Sequence, residues 1–263
     1  MLRSTFIHLP GIGPGTESAL WRQGITDWSA LASAALRGEI SGARWALVER
    51  ELSASETALR DQDVSWFARR LPESQLWRLY PTFRHRTAFL DIETTSLSPH
   101  DGIVTVVTVH GGGQTRTFVA DDDLEELPAF LQRYDLLVTF NGKLFDVPFL
   151  ETRFPGLRSP PAHLDLRFVL YRLGLSGGLK RIEQVLGLGD RSGVEGIYGR
   201  DAVRLWSEFR RGNPASLETL VRYNRADTVN LEPLTEYAIG ELVKRTFSRT
   251  EDRSTESVSA CVL

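Results

Sequence analysis

The clearest β-strand pattern in this chain of 263 residues is Thr87-Ala88-Phe89-Leu90-Asp91-Ile92-Glu93. Apolar residues precede two carboxylates that are separated by one position. Because successive side chains of a strand alternate between its two faces, Asp91 and Glu93 point to the same face. The stretch therefore predicts a buried strand that ends in a pair of acids on one side of a sheet.

Two further strands are predicted after this one. They cover residues 103–109, where Val and Thr predominate, and residues 114–119. The stretch Gly111-Gly112-Gly113 joins them, and glycine tolerates the positive φ angles that a tight hairpin turn needs. We therefore predict that these two strands run antiparallel.

The next segment alternates between helical and strand-like patterns. It comprises a helix over residues 124–133, an apolar strand over 136–140, a short helix after Phe145 and a strand over 163–166. Antiparallel strands followed by helix–strand units predict an α/β fold with a mixed sheet flanked by helices. Three strands first and helix–strand units afterwards is the order of the ribonuclease H-like fold.

Helical sequence precedes and follows the predicted sheet. Residues 1–80 predict a small helical module, because Trp and Leu are spaced among charged residues without the two-residue period of a strand. Pro81 marks the break, and we place the sheet domain at residues 87–245, with a long amphipathic helix from 217 to about 244. Residues 246–263 have little apolar surface to bury, so we predict a disordered tail.

The composition excludes several classes of protein. The formal net charge of −3 argues against a strongly basic binder of nucleic acid, although metal ions held by carboxylates would invert the charge locally. Cys261 is the only cysteine, so neither a disulfide framework nor a cysteine-based zinc site can form within the chain. No apolar run reaches the roughly 18 residues of a membrane span, and no secretory signal pattern is present. We expect a cytoplasmic protein without membrane attachment.

A second acidic position follows the strand at residues 136–140. The chain continues as Asn141-Gly142-Lys143-Leu144-Phe145-Asp146-Val147-Pro148, a polar turn that opens a helix. Asp146 lies in the first helical turn, where the helix dipole stabilises a carboxylate, so it could be only a helix N-terminal acid with Pro148 at the helix start. Asn141 could likewise be only a turn residue. The alternative is that both residues belong to a site with Asp91 and Glu93.

A third element lies on the predicted long helix. Tyr223 and Asp227 are four residues apart and therefore project from one helical face. A phenol beside a metal ligand can orient an attacking water or hold a phosphate. The alternative is a Tyr packed on the core with a solvated Asp one turn away.

Together, the acids suggest metal chemistry. Cleavage of a phosphodiester by two divalent ions requires the ions to lie roughly 3.5–4 Å apart, so that one carboxylate commonly bridges both. Asp91 is our candidate for the bridge. A cluster of hard oxygen ligands suits Mg²⁺ or Mn²⁺ better than zinc.

The three segments, in this order, resemble the Exo I, Exo II and Exo III motifs of the DEDD exonuclease superfamily. The motif residues are Asp91 and Glu93, the Asn141 to Phe149 run around Asp146, and Tyr223 with Asp227. The resemblance covers about residues 87–240. With a tyrosine at position 223, the third segment resembles that of the DEDDy branch, which includes the proofreading domains of family B DNA polymerases. The chain as a whole looks most like the bacterial YprB-like ribonuclease H-like proteins.

The resemblance implies two divalent metal ions and cleavage from a 3′ end. It implies Asp91, Glu93, Asp146 and Asp227 as metal ligands and Tyr223 as the residue that positions water. Asp165, on the predicted strand at 163–166, is an additional acid that could either approach the site or cap the next helix.

Other residues are candidates for contact with substrate. We predict that Asn141, Phe145 and Lys180 bind substrate, the last at a helix start beside Arg181. A solvated helix end explains Lys180 and Arg181 equally well. Exposed Trp and Tyr side chains could stack on unpaired bases, although their helical spacing is more typical of a core.

The helical module contains a stretch, residues 6–25, that resembles a helix-hairpin-helix motif. Gly11, Gly13 and Gly15 would present backbone N–H groups to a DNA phosphate. Their spacing differs from that of a dinucleotide-binding fingerprint. Because Thr16 and Glu17 stand where Lys or Arg is expected, the alternative is a turn used only for packing.

These observations predict a two-metal 3′–5′ exonuclease acting on nucleic acid, with single-stranded or frayed DNA favoured and RNA as the alternative substrate. A structure-selective endonuclease of the same fold is the competing enzyme. A binding module for nucleic acid or protein that has lost catalysis is the competing class.

Overall fold

The structure, a computed structural model, describes residues 1–37 and 43–248. The chain divides into two units, each with its own internal packing. One unit comprises Met1–Thr82 together with the chain from Ile239 onward, and the other comprises Phe83–Ala238.

The first unit is helical. Short 3₁₀ helices lie at Leu2–Ser4 and Glu73–Leu79, and the α-helices up to the boundary between the units are α1 (Pro14–Arg22), α2 (Trp28–Leu36), α3 (Ala43–Arg60), α4 (Val64–Ala68) and α5 (Tyr80–Phe83). Two of these helices, α2 and α4, have an aspartate as their N-cap residue. The carboxylate of Asp27 accepts the N–H of Ala30 at 2.8 Å, and that of Asp63 accepts the N–H of Trp66 at 2.9 Å. These bonds satisfy N–H groups that a helix start leaves without a partner in the helix.

Tryptophans build the core of this unit. Trp28 is buried, stacks on Phe67 with ring centroids 6.3 Å apart, and donates its indole N–H to the carbonyl of Thr5 at 2.8 Å. Trp21 and Trp77 are also buried. Their helical spacing therefore reflects packing, and these three rings are not available to stack on bases.

A buried ion pair also lies in this unit. Glu17 of α1 pairs with Arg78 through two bonds of 2.8 Å, and the same carboxylate accepts the N–H of Phe6 at 2.7 Å. Only 2% of the Glu17 side chain and 4% of the Arg78 side chain are exposed. A buried charge is tolerated when it is paired and hydrogen-bonded in this way.

The second unit is built on a five-stranded sheet. Its strands are β1 (Thr87–Thr94), β2 (Val104–Gly111), β3 (Gln114–Val119), β4 (Leu136–Thr139) and β5 (Ala162–Asp165). The order across the sheet is β3-β2-β1-β4-β5. β1 pairs antiparallel with β2, as does β2 with β3, whereas β4 runs parallel to both β1 and β5. The predicted mixed sheet is confirmed.

The predicted hairpin between β2 and β3 is present, with a shorter loop than three glycines would give. Gly111 pairs with Gln114, so only Gly112 and Gly113 form the loop, with φ angles of 59° and 78°. Two successive residues with positive φ are the requirement of a type I′ turn, which glycine meets without strain. A side chain at Gly111 is also excluded, because a Cβ atom there would lie 2.1 Å from the carbonyl oxygen of Thr87.

Helices cover both faces of the sheet. They are α6 (Leu127–Leu131), α7 (Asp146–Arg153), α8 (Leu166–Arg172), α9 (Leu179–Leu186), α10 (Gly199–Arg210) and α11 (Pro214–Ser248). Leu90 and Ile92 of β1 face the core that includes Phe130 and Phe149, of α6 and α7. Val106 of β2 faces the opposite core, which includes residues of α10 and α11. Because strand side chains alternate, Asp91 and Glu93 point away from Leu90 and Ile92.

Several predicted elements differ from the observed ones in their bounds, and two of them illustrate this. The helix predicted over residues 124–133 is a 3₁₀ turn at Leu124–Glu126 followed by the five-residue α6, with Pro128 near the start of α6. The strand predicted over 136–140 ends at Thr139, one residue early. Both differences lie at element ends, where capping and turns decide the boundary.

The final helix is longer than predicted. α11 has 35 residues, continues past Pro233 and ends at Ser248. It includes residues 246–248, which the sequence assigned to a disordered tail, and the rest of that predicted tail, with Cys261, lies outside the described residues. Among the helices of residues 1–37 and 43–248, none combines the length and apolar character needed to cross a membrane.

Candidate active site

Three carboxylates from two elements meet on the α10 and α11 side of the sheet. Asp91 and Glu93 come from β1, and Asp227 comes from α11. One carboxylate oxygen from each lies within 4.8 Å of those of the other two. Glu93 and Asp227 are buried and Asp91 is half-buried. The structure thus brings together acids that are more than 130 positions apart in the sequence.

Asp146 is the fourth acid of the same cleft. The cleft has a volume of about 510 Å³ and is lined by all four acids together with Tyr223. Its other walls include Phe140, Asn141, Phe145, Gly199, Arg200 and Val203. Asp146 is buried and is the first residue of α7, as its sequence position predicts.

A tight turn places Asp146. Asn141 has a φ angle of 67°, and a Cβ atom at Gly142 would lie 2.3 Å from the hydroxyl oxygen of Thr139, so the chain folds back closely onto the end of β4. The carboxylate of Asp165 accepts the N–H groups of Asn141 at 2.8 Å and Lys143 at 3.1 Å. These contacts hold the turn from which α7 begins.

Asp165 therefore interacts chiefly with backbone N–H groups. It also caps α8 by accepting the N–H of Arg167 at 3.1 Å. Its charge nevertheless reaches the cleft, since it contributes to the raised pKa of Asp146. Of the two roles considered for Asp165, the structure shows capping.

The four acids are electrostatically unfavourable neighbours. Burial raises the pKa of Asp91 and that of Glu93 well above their ordinary values, and the surrounding carboxylates raise both further. Burial is also the main reason why the pKa of Asp146 is raised to about 7. A divalent cation would reverse this tendency, because opposite charge favours the ionised carboxylate.

Asn224 is a site residue that the sequence argument missed. Its side-chain amide donates to Asp91 Oδ2 at 2.8 Å, which lowers the pKa of Asp91 against the stronger effect of burial. The side chain is fully buried on α11. The available signal was its position three residues before Asp227, on the same helical face.

Tyr223 lies beside the acids, as the four-residue spacing predicts. It is buried and lines the cleft with Asp227. Burial raises the pKa of Tyr223 above its ordinary value, and the charges of Asp227 and Glu93 raise it further. The phenol is therefore a stable hydrogen-bond donor and not a base.

Lys180 lies against the ring of Tyr223. Its ammonium is 4.4 Å from the centroid of that ring and 4.6 Å from the centroid of Tyr198, and it donates to the carbonyl of Ile197. Burial lowers the pKa of Lys180. A cavity of about 620 Å³ adjoins the acids here and is lined by Lys180, Arg181, Arg191, Tyr198, Tyr223 and Asp227.

Asn141 and Phe145 also line the cleft. Phe145 packs on Phe149 with ring centroids 4.9 Å apart, and Asn141 Oδ1 accepts a hydrogen bond from Arg167. Asn141 also borders a further cavity of about 750 Å³, whose walls include the half-exposed ring of Phe168 and the exposed ring of Tyr171. The cleft and this cavity share Phe140 and Asn141.

Arg191 and Glu183 are further groups at the site that the sequence argument missed. Arg191 donates both to Asp227 and to Glu183, which is buried on α9. Burial opposes the charged guanidinium, but its bonds to Glu183 and the charge of Asp227 raise the pKa of Arg191 overall. Arg191 follows a glycine-containing stretch without periodicity, so no local pattern pointed to it.

The glycine turn of the helical unit is geometrically open. Gly13 precedes α1, and a Cβ atom at Gly13 or Gly15 would meet nothing within 4 Å. Gly11 has a φ angle of 70°. Glu17 is the buried partner of Arg78 and so is a structural group of this turn. Contact of the turn with DNA stays a prediction.

Comparisons with known proteins agree with this architecture. The model of the RNase H superfamily matches residues 88–239, more than half of the chain. A family B DNA polymerase from the archaeon Pyrobaculum calidifontis aligns with a TM-score of 0.51 and 20% identity, over 61% of this chain and 25% of the polymerase. No curated protein matches the sequence significantly.

Two smaller solved structures are also similar. Brucella melitensis NrnC with bound Mg²⁺ aligns with a TM-score of 0.39 and 18% identity, over 64% of this chain and 82% of NrnC. Escherichia coli RNase D, an exoribonuclease involved in structured RNA processing, aligns with a TM-score of 0.39 and 15% identity, over 71% of this chain and 49% of RNase D. The polymerase alignment supports the fold, and the match to the superfamily model covers the strands and helices that supply all four acids. The chain belongs to the RNase H superfamily.

Proposed function

We propose that this protein is a two-metal-ion 3′–5′ exonuclease that hydrolyses phosphodiester bonds of nucleic acid, with single-stranded DNA as the favoured substrate. The observation that carries the proposal is the approach of Asp91, Glu93 and Asp227 within 4.8 Å, in a cleft that also contains Asp146 and Tyr223. A buried cluster of four acids is costly unless its charge is compensated. Compensation by divalent cations explains why the fold keeps these acids together.

The donor set fits Mg²⁺ or Mn²⁺. The acids offer carboxylate oxygens, which are hard ligands, and His or Cys is absent from the residues that line the cleft. Asp91, Glu93 and Asp227 would hold one ion, and Asp91 with Asp146 would hold the second, so that Asp91 bridges. When bound, such ions activate a water for attack and stabilise the charge that develops on the phosphate.

Tyr223 would orient the reacting groups. Burial and the neighbouring acids raise the pKa of its hydroxyl, which favours the protonated phenol. A protonated phenol beside Asp227 can donate a hydrogen bond to a water or to a phosphate oxygen, and it need not accept a proton for this purpose. Lys180, whose ammonium lies 4.4 Å from the centroid of the Tyr223 ring, adds positive charge that favours a phosphate in the cleft.

The surroundings of the cleft support an unpaired strand as substrate. Phe140 and Asn141 connect the acids to the cavity that contains the rings of Phe168 and Tyr171. Aromatic rings at such a place can stack on unpaired bases with little regard to sequence. The preference for DNA rests on the resemblance to the proofreading domains of family B polymerases, and RNA is the alternative.

The test uses 5′-labelled single-stranded DNA and RNA of one sequence, incubated with Mn²⁺ or Mg²⁺ and resolved on a sequencing gel. The variant is Asp227→Asn, and the matched control is Asp121→Asn, whose side chain is 71% exposed in a surface ion pair with Arg210. We expect a ladder that shortens stepwise from the 3′ end in wild type and control, and none with Asp227→Asn or with chelator.

Three other results would change the conclusion. Internal cuts from the first time point would identify an endonuclease. Preferential shortening of the RNA would reverse the substrate assignment. Absence of metal-dependent cleavage of either strand would favour the binding module.

A further inference from the structure

A second charged network borders the four acids, and the proposed chemistry does not use it. Arg191 donates from Nη1 to Asp227 Oδ1 and from Nε to Glu183 Oε2, and its Nη2 lies 2.8 Å from Glu183 Oε1. The exposed fractions of the side chains are 18% for Arg191, 4% for Glu183 and 11% for Asp227. The guanidinium thus joins a metal-site acid to an acid outside the cluster.

Asn230 holds this network in place. It lies three residues after Asp227 on α11, and its amide nitrogen donates to Glu183 Oε1 at 3.1 Å and to the carbonyl of Asp190 at 3.2 Å. Its amide oxygen accepts the N–H of Asp190 at 2.9 Å. The residue before Asp190, Gly189, has a φ angle of 88°, and a Cβ atom there would lie 2.7 Å from the Asn230 nitrogen. The segment at Gly189 and Asp190 therefore lies close against Asn230, and this position brings Arg191 within hydrogen-bonding distance of Asp227.

We propose that Arg191 is a resident counter-ion of the metal centre: its guanidinium offsets the charge of Asp227 and its neighbours, so that a divalent ion binds against a fixed positive charge. This inference rests on the proposed metal site. Glu183 and Asn230 are the positioning residues of the arginine. Because an arginine side chain stays protonated in proteins, its charge is permanent.

The charges predict opposite effects for the two partners. Removal of Arg191 takes a positive charge from the cluster and leaves Glu183 uncompensated, so a divalent cation should bind more tightly. Removal of the Glu183 charge leaves the guanidinium less neutralised, so the cation should bind more weakly. If the network only supported the fold, loss of either partner would loosen the site and weaken binding in both variants.

The experiment is a calorimetric titration of the full chain with Mn²⁺, without nucleic acid. We expect Arg191→Met to bind the first ion at least about tenfold more tightly than wild type, which corresponds to about 1.4 kcal/mol. We expect Glu183→Gln to bind it at least about tenfold more weakly, and Arg191→Lys, which keeps the charge, to stay within about threefold of wild type. The matched control is Arg210→Met, an exposed guanidinium paired with Asp121.

A double variant covers the case in which Arg191→Met does not fold with a buried, unpaired Glu183. Arg191→Met/Glu183→Gln removes both charges and is compared with Glu183→Gln alone. The difference isolates the arginine, and the double variant should bind Mn²⁺ at least about tenfold more tightly than the single one. Equal or weaker binding by a folded variant that has lost Arg191, relative to its parent, would overturn the proposal, as would absence of Mn²⁺ binding in all variants.

The titration separates this inference from the proposed function. Opposite shifts in a protein that cleaves no nucleic acid would support the counter-ion and reject the nuclease. An active nuclease whose metal affinity is unchanged by Arg191→Met would reject the counter-ion and leave the nuclease in place.

Discussion

Two buried acidic sites in this protein differ in how far their negative charge is compensated by other side chains. In the helical unit, both oxygens of Glu17 bind Arg78, and one of them also accepts a backbone N–H. In the sheet unit, Asp91, Glu93, Asp146 and Asp227 share one cleft, where Asn224 donates to Asp91 and Arg191 donates to Asp227. The first site is compensated within the chain and therefore serves structure. The second leaves negative charge to be met by a ligand, which is the property that a metal site needs.

The largest expected effect tests the compensated site. Arg78→Met leaves Glu17 buried without its partner, so we expect the free energy of unfolding to fall by about 3–5 kcal/mol. Arg3→Met is the control, because its pair with Glu56 is exposed and should contribute about 0–1 kcal/mol. Urea unfolding measures both. A loss for Arg78→Met no larger than that for Arg3→Met would show that the two buried acidic sites do not differ in this way.

A smaller effect is expected for a change at Tyr223, which lies beside the uncompensated acids. Tyr223→Phe removes the hydroxyl and keeps the ring against which Lys180 lies. We expect kcat on single-stranded substrate to fall by about 10- to 100-fold with KM little changed, since the lost hydrogen bond orients the reacting groups.

An unchanged kcat for Tyr223→Phe would show that the Tyr223 hydroxyl has no catalytic role. A parallel rise in KM would instead assign it to substrate binding.

The smallest effect concerns pH and stability. The pKa of Asp146 is raised to about 7, mainly by burial, so the folded state holds this proton more tightly than the unfolded chain does. Stability from the protonated form is therefore present below about pH 4 and is lost as the pH rises through about 7. In chelator, Asp146→Asn should be more stable than wild type, by a margin that grows by about 1–2 kcal/mol from pH 6 to pH 8.

Urea unfolding at the two pH values measures this margin, with Asp121→Asn as the exposed control. Added Mn²⁺ should reverse the order, because it stabilises the wild-type carboxylate and gains less from the amide. A margin that shrinks as the pH rises would contradict the electrostatic account of the cleft.

Local rules predicted much of this architecture. The two-residue period placed Asp91 and Glu93 on one face of β1, and the four-residue helical spacing placed Tyr223 beside Asp227. Asp146 at the start of α7 followed from a polar turn after an apolar strand. These features depend on neighbours within a few positions, and strand order then brought the segments together.

The residues that were missed depend on distant contacts. Arg191 reaches Asp227 only because Asn230 holds the chain at Asp190 and Gly189, and that segment has no periodicity to interpret. In the sequence, Glu17 was noted only as an acid at a position where a phosphate-binding cation is expected. Its ion-pair partner, Arg78, lies 61 positions away, so the local sequence did not reveal the pair. A buried ion pair between distant segments leaves no local signature in either one.

The central claim is that the four acids form a site for divalent ions, and direct titration tests it best. Calorimetry with Mn²⁺ should show two bound ions per chain for wild type and for Asp121→Asn, and loss of both for Asp91→Asn, because Asp91 is the proposed bridge. Absence of Mn²⁺ binding in wild type, or binding that Asp91→Asn leaves unchanged, would contradict the claim.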